Sequence, residues 1–146
     1  MYIQPISTNF QQQNFRGKFI KNTTLEKAIE HSSLTNLNRF CKYLEKMTMV
    51  KDNLEFSLNE KIKKSKTPNY IESDIFFEIA KSNYFYKRNI FPDTWPKDKP
   101  QSNFNFVVAI DRVNRTLEEY YPNSAKTTDR LDKENVVKRI NFLLEQ

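Results

Sequence analysis

A chain of 146 residues that contains one glycine, Gly17, has little access to the backbone shapes that phosphate-cradling loops require. Glycine reaches positive φ without steric cost and lets backbone come close to a ligand. With a single copy there is no Walker loop, no dinucleotide-binding fingerprint and no nucleophile elbow, since each needs glycines at fixed spacing. Those enzyme classes are excluded before any fold is considered.

What remains must fold on aromatic rings. Hydrophobic content is 38%, below the usual range, but 12 Phe and 7 Tyr bury large areas apiece, so a compact core is attainable at this length. Length predicts one domain, here 15–146, preceded by a flexible arm over 1–14. In the arm Tyr2, Ile3, Ile6 and Phe10 follow neither a helical nor a strand period, so it is expected to be dispensable for folding. The first 13 residues have no basic start or apolar run, and a lone cysteine, Cys41, forms no internal disulfide. The expectation is a cytoplasmic protein without integral membrane association.

The periodicity predicts an α+β fold. Thr23 and Glu26 have capping-box spacing and open a helical stripe through Leu25, Ala28, Ile29, Leu37, Phe40, Cys41, Leu44 and Met47. Ser32-Ser33 interrupts it, so one kinked helix or two short ones fit equally. Beyond Val50 the period becomes two: Leu54, Phe56 and Leu58 alternate with polar residues in a half-buried strand. A basic loop over 61–68 follows, then strands over 74–80 and 84–91 that read as a hairpin with Asn83 at its left-handed position. Pro92, Pro96 and Pro100 predict a long loop over 91–102, anchored by Trp95. Two helices close the chain, the first capped by Ser102 and the second by Asp132, with Leu131 and Val136 as a hydrophobic staple. The expected sheet is small, antiparallel and three-stranded.

Ile3-Gln4-Pro5-Ile6, the run from Asn14 through Phe15, Arg16, Gly17, Lys18 and Phe19 to Ile20, and a helix bearing Leu37, Arg39-Phe40, Leu44 and Met47 make the first third of the chain similar to short uncharacterised bacterial proteins. The resemblance implies no activity and no site residues.

Catalytic and metal chemistry lack parts. His31 and Cys41 are single copies, and in one straight helix they would stand about 15 Å apart, too far for a dyad. They are also too few to close a zinc site. Glu72, Asp74 and Glu78 share strand parity and read as a solvated face, while Asp129, Asp132 and Glu134 sit where a helix N-terminus attracts negative charge. No cofactor and no metal are expected, and the chain does not read as an enzyme.

Binding is left. Lys61, Lys63, Lys64 and Lys66, placed across a hairpin from Tyr84, Tyr86, Lys87 and Arg88, combine phosphate-neutralising cations with rings on which bases stack. The plainer account is a solvated loop, because the net charge of +6 is modest and lies towards the N-terminal half: residues 1–50 carry 7 basic against 3 acidic side chains, 51–100 carry 10 against 8 and 101–146 carry 7 against 7. The leading expectation is therefore a non-catalytic accessory protein of bacterial or phage type. It would contact an unknown protein partner through Tyr2, Ile3, Ile6, Phe10 and Trp95, with nucleic-acid binding as the alternative.

Overall fold

The computed structural model describes residues 16–81, 84–124 and 132–146. Among them the order is β1 (Lys18–Phe19), α1 (Thr23–His31), α2 (Leu34–Met47), β2 (Glu55–Lys64), β3 (Tyr70–Lys81), β4 (Tyr84–Pro96), α3 (Phe104–Tyr120) and α4 (Lys133–Leu144). The class is α+β. The arm with Tyr2, Ile3, Ile6 and Phe10, the turn residue Asn83 and the staple residue Leu131 lie outside the described residues.

The stripe beginning at Thr23 folds as two helices. Asn22, not Thr23, caps the first, accepting a hydrogen bond from the Leu25 N–H at 2.9 Å, and Ser33 caps the second by accepting from the Asn36 N–H. Asn22 also donates to the Leu58 carbonyl at 2.9 Å, tying the start of α1 to β2. That tertiary bond favours Asn22 as the cap over Thr23. Farther on, Asn103 occupies the cap position of α3 without a side-chain bond, while Ser102 accepts from the Phe104 N–H one step inside. Asp132 caps α4 as its position predicts.

The sheet departs from the three-stranded antiparallel expectation. Its order among the described residues is β1-β2-β3-β4, with β1 parallel to β2, so the sheet is mixed. Two residues are too short for any alternation to be visible in sequence. They are fixed instead by hydrogen bonds from Lys18 N–H to the Leu54 carbonyl and from Ile20 N–H to the Phe56 carbonyl. The basic stretch expected as a loop continues β2 as far as Lys64, and its turn is confined to residues 65–69. Likewise β4 runs through Pro92 and Pro96, where a loop is expected. Proline lacks an N–H but is tolerated where that position faces solvent, and among the described residues β4 is an edge strand on which Pro92 and Pro96 share parity.

With glycine nearly absent, asparagine makes the left-handed bends: Asn53, Asn69 and Asn123 have φ of 56, 66 and 65°. Gly17 serves packing. A Cβ there would meet Asp52 Oδ1 and the Tyr121 hydroxyl at 2.7 Å each. The Tyr121 hydroxyl donates to the other oxygen of that carboxylate, Asp52 Oδ2, also at 2.7 Å.

All four helices contribute to one core with one face of the sheet. Phe56 is its centre, stacked on Phe77 at 5.9 Å and on Phe19 at 6.2 Å, and met edge-on by Tyr120 and Tyr121. Leu58, Ile75 and Ile79 complete the strand contribution, while Leu37, Phe40, Phe106, Ile110, Leu117 and Ile140 project from the helices. Polar ties reinforce it. Tyr43 donates to Glu118 at 2.7 Å, joining α2 to α3, and Arg139 reaches Glu45 at 3.2 Å, joining α4 to α2. No helix among the described residues is long and apolar enough to cross a membrane.

Candidate functional site

The sheet has two faces with different fates. Cross-strand partners lie on the same face, so Phe56, Ile79 and Tyr86 belong to the helix side, as do Leu58, Phe77 and Arg88. The other side carries Glu55, Ser57, Asn59, Lys61 and Lys63 from β2, Glu72, Asp74, Phe76 and Glu78 from β3, and Phe85 and Lys87 from β4. None of these is buried.

On this open face charge is cancelled locally. Lys63 Nζ lies 3.1 Å from Glu72 and 3.4 Å from Asp74, and these hydrogen-bonded carboxylates hold the lysine above its usual pKa. Glu78 accepts from Asn59 Nδ2 at 2.7 Å. The Lys87 ammonium sits over the Phe76 ring at 4.1 Å, and Phe85, two residues along the same strand face, is 63% exposed.

The constellation expected for nucleic acid is not brought together. Lys61 and Lys64 pair with Asp74 and Ile71 of β3, whereas Arg88 and Tyr84 pair with Phe77 and Lys81 of the same strand. From three to ten residues of β3 separate the two groups, roughly 10 to 33 Å. Arg88 is also committed inward, donating to Thr116 of α3 at 3.1 Å. Tyr86 is 37% exposed at the rim, and the Tyr84 side chain lies outside the described residues. Trp95, expected as a protein-binding group, is instead buried to 7% exposure. Its strand continues where a loop is expected and aligns it with Ile71. Its indole closes the protein's own interior.

At the far end of the β2–β3 hairpin a different grouping forms. Lys64, Ser65, Thr67, Pro68, Asn69, Tyr70, Ile71 and Lys97 line a cavity of about 350 Å3. An adjoining concavity of about 510 Å3 shares Asn69 and Lys97 and adds Asp98. The turn is built by Ser65 N–H donating to the Tyr70 carbonyl, Thr67 N–H to Ser65 Oγ, and Lys97 N–H to the Asn69 carbonyl. The last bond brings Lys97 beside a turn nearly thirty positions earlier. Only the lysine run was visible in sequence. Lys97 was hidden because the prolines around it read as a loop of unknown course.

Beneath the sheet near this end lies a polar cluster that sequence periodicity does not signal. Glu60 accepts from Ser73 Oγ at 2.7 Å and from Gln101 Nε2 at 2.6 Å, and Asn105 donates to the Ser73 carbonyl at 3.3 Å. Ser73 is 1% exposed, so its hydroxyl is closed to substrates and the cluster pins the segment after β4 to the sheet. Cys41 is fully buried, and His31 lies on the preceding helix with its ring 6.2 Å from that of Phe106. Among the described residues no group of three or more His, Cys, Asp or Glu side chains is arranged to hold a metal ion.

Comparison with known proteins adds no relative: no protein-family model, no curated protein and no solved structure matches the chain.

Proposed function

We propose that the chain is a non-catalytic binding protein of bacterial or phage type, working in the cytoplasm, that holds a protein partner against the helix-free face of its sheet. One observation carries the reading: that face presents the exposed Phe85 ring beside Lys87 and Phe76, while Lys63 is held between Glu72 and Asp74. Aromatic groups set among mutually satisfied charges suit a protein surface, where an unpaired charge is costly to desolvate. A phosphate backbone calls for several uncompensated cations, whereas at the centre of this face Lys63 is held by two carboxylates and Lys87 is engaged by the Phe76 ring. The single buried Cys41 agrees with a reducing compartment.

The test compares material co-purified from host extract by the intact protein and by Phe85→Asp, after circular dichroism and thermal melting have established that the two are equally folded. The expected result is a protein partner retained by the former and lost from the latter. Identical protein sets on both, or nucleic acid as the sole retained material, would count against the reading.

A further inference from the structure

The hairpin end outside the core differs in charge from the open face. Between Lys61 and Tyr70 there are four lysines and no carboxylate, and Lys97 and Lys99 arrive from the end of β4. The nearest carboxylates on β3, Glu72 and Asp74, are both drawn to Lys63. Lys64, Lys66, Lys97 and Lys99 are consequently left in no ion pair among the described residues, and Asp98 is the one acid among the groups lining the two concavities. Four like charges at one end of a sheet repel one another and attract a polyvalent anion.

The cavity supplies more than charge. Lys64 ends β2 and Lys97 follows the last residue of β4, and these strands flank β3 on opposite sides, so an anion between them is held from two directions. Tyr70, 40% exposed, offers a ring at the same wall, and Asn69, Ser65 and Thr67 offer amide and hydroxyl groups. The turn's own N–H groups of Ser65, Thr67 and Tyr70 are consumed internally, so recognition falls to side chains. A volume of about 350 Å3 lies within the ~300–1,000 Å3 range of small-ligand sites. We propose that this hairpin-end cavity is a nucleotide site, with phosphate between Lys64 and Lys97 and a planar ring against Tyr70. The nucleotide is either free or part of a single strand. The site is separate from the open face, so its fate is independent of the protein-binding reading.

The experiment titrates the full chain with AMP, with inorganic pyrophosphate and with a twelve-nucleotide oligo-dT, followed by amide chemical shifts and by affinity at several salt concentrations. Expected is a set of shifts centred on residues 64–71 and 97, and a loss of affinity of tenfold or more in Lys64→Glu/Lys97→Glu. Lys46→Glu/Lys51→Glu, which makes the same change in net charge at exposed sites elsewhere, should lose less than twofold. Tyr70→Ala should weaken AMP and oligonucleotide but leave pyrophosphate unchanged, since only the first two bring a ring. Should the charge reversal perturb folding, Lys64→Met/Lys97→Met serves in its place. A steep salt dependence for the oligonucleotide, about 0.7 log units per log of salt for each phosphate held, would identify a single strand as the source; tighter binding of AMP would identify the free nucleotide. Equal losses in the two charge-reversed proteins, shifts elsewhere, or no binding of any probe at millimolar concentration would overturn the proposal.

Discussion

The two halves of β2 obey different rules. From Glu55 to Glu60 the strand alternates, with Phe56 and Leu58 fully buried under helices, whereas from Lys61 to Lys64 both faces are exposed and even Ile62 keeps 53% of its surface. The backbone is the same ladder throughout, paired residue by residue with β3. What changes is cover. Alternation records a neighbouring layer, and where the strand runs beyond that layer its side chains answer to solvent and to charge alone.

Four measurements test that contrast. The largest effect is expected from Phe56→Ala, which removes the ring around which Phe19, Phe77, Tyr120 and Tyr121 pack and should cost about 3–5 kcal/mol in urea denaturation. Ile62→Ala, six positions along the same strand, should stay within about 0.5 kcal/mol. Comparable losses at the two positions would mean that the hairpin end is covered after all.

Gly17→Ala comes next. Its added Cβ meets Asp52 and the Tyr121 hydroxyl at 2.7 Å, so the covered end must shift, at a cost of about 1–3 kcal/mol. An unchanged midpoint would show that this junction is loose.

A smaller effect should appear with pH. Burial, then the bond to Asp52, pushes the Tyr121 pKa far up, and burial with the Glu118 bond raises that of Tyr43. Their contribution is present below the ordinary tyrosine value near 10 and lost as pH rises beyond it. Glu118 behaves oppositely: its bonds from Tyr43 and the Asn123 N–H lower its pKa, so its contribution holds above about 4.5 and fades on acidification. Stability curves of Glu118→Gln should therefore be flatter than those of the unmodified protein chiefly on the acid side, with a lesser flattening on the alkaline side because Tyr43 loses the carboxylate that helps raise its pKa. Tyr121→Phe should flatten the alkaline side.

The smallest effect is expected for Lys63→Met, whose ion pairs are solvated. Its melting temperature should match that of the unmodified protein at high salt. A marked drop would make the open face a stabilising element rather than a presenting one.

Legibility followed the same divide. The interruption at Ser32-Ser33, though not whether it kinks one helix or parts two, the helix start at Asp132 and the alternation of Phe56 and Leu58 were readable because local chemistry and cover agree there. Strand identity at Lys61–Lys64, and at Pro92 and Pro96, was not, because a projecting hairpin and a sheet edge relax the demands that sequence patterns encode. The cavity was half visible: Lys64 belongs to the lysine run, but Lys97 reaches it only through the register of a strand whose prolines concealed it.

One consequence attaches to the chain's single tryptophan. Trp95 is buried, aligned with Ile71, and two residues from Lys97, so the only indole in the protein stands behind the wall of the hairpin-end cavity and away from the rings around Phe56. Its emission is a built-in optical reporter for that end of the molecule. A spectral change without loss of helical ellipticity would signal an event at the hairpin, and the two signals moving together would signal global unfolding.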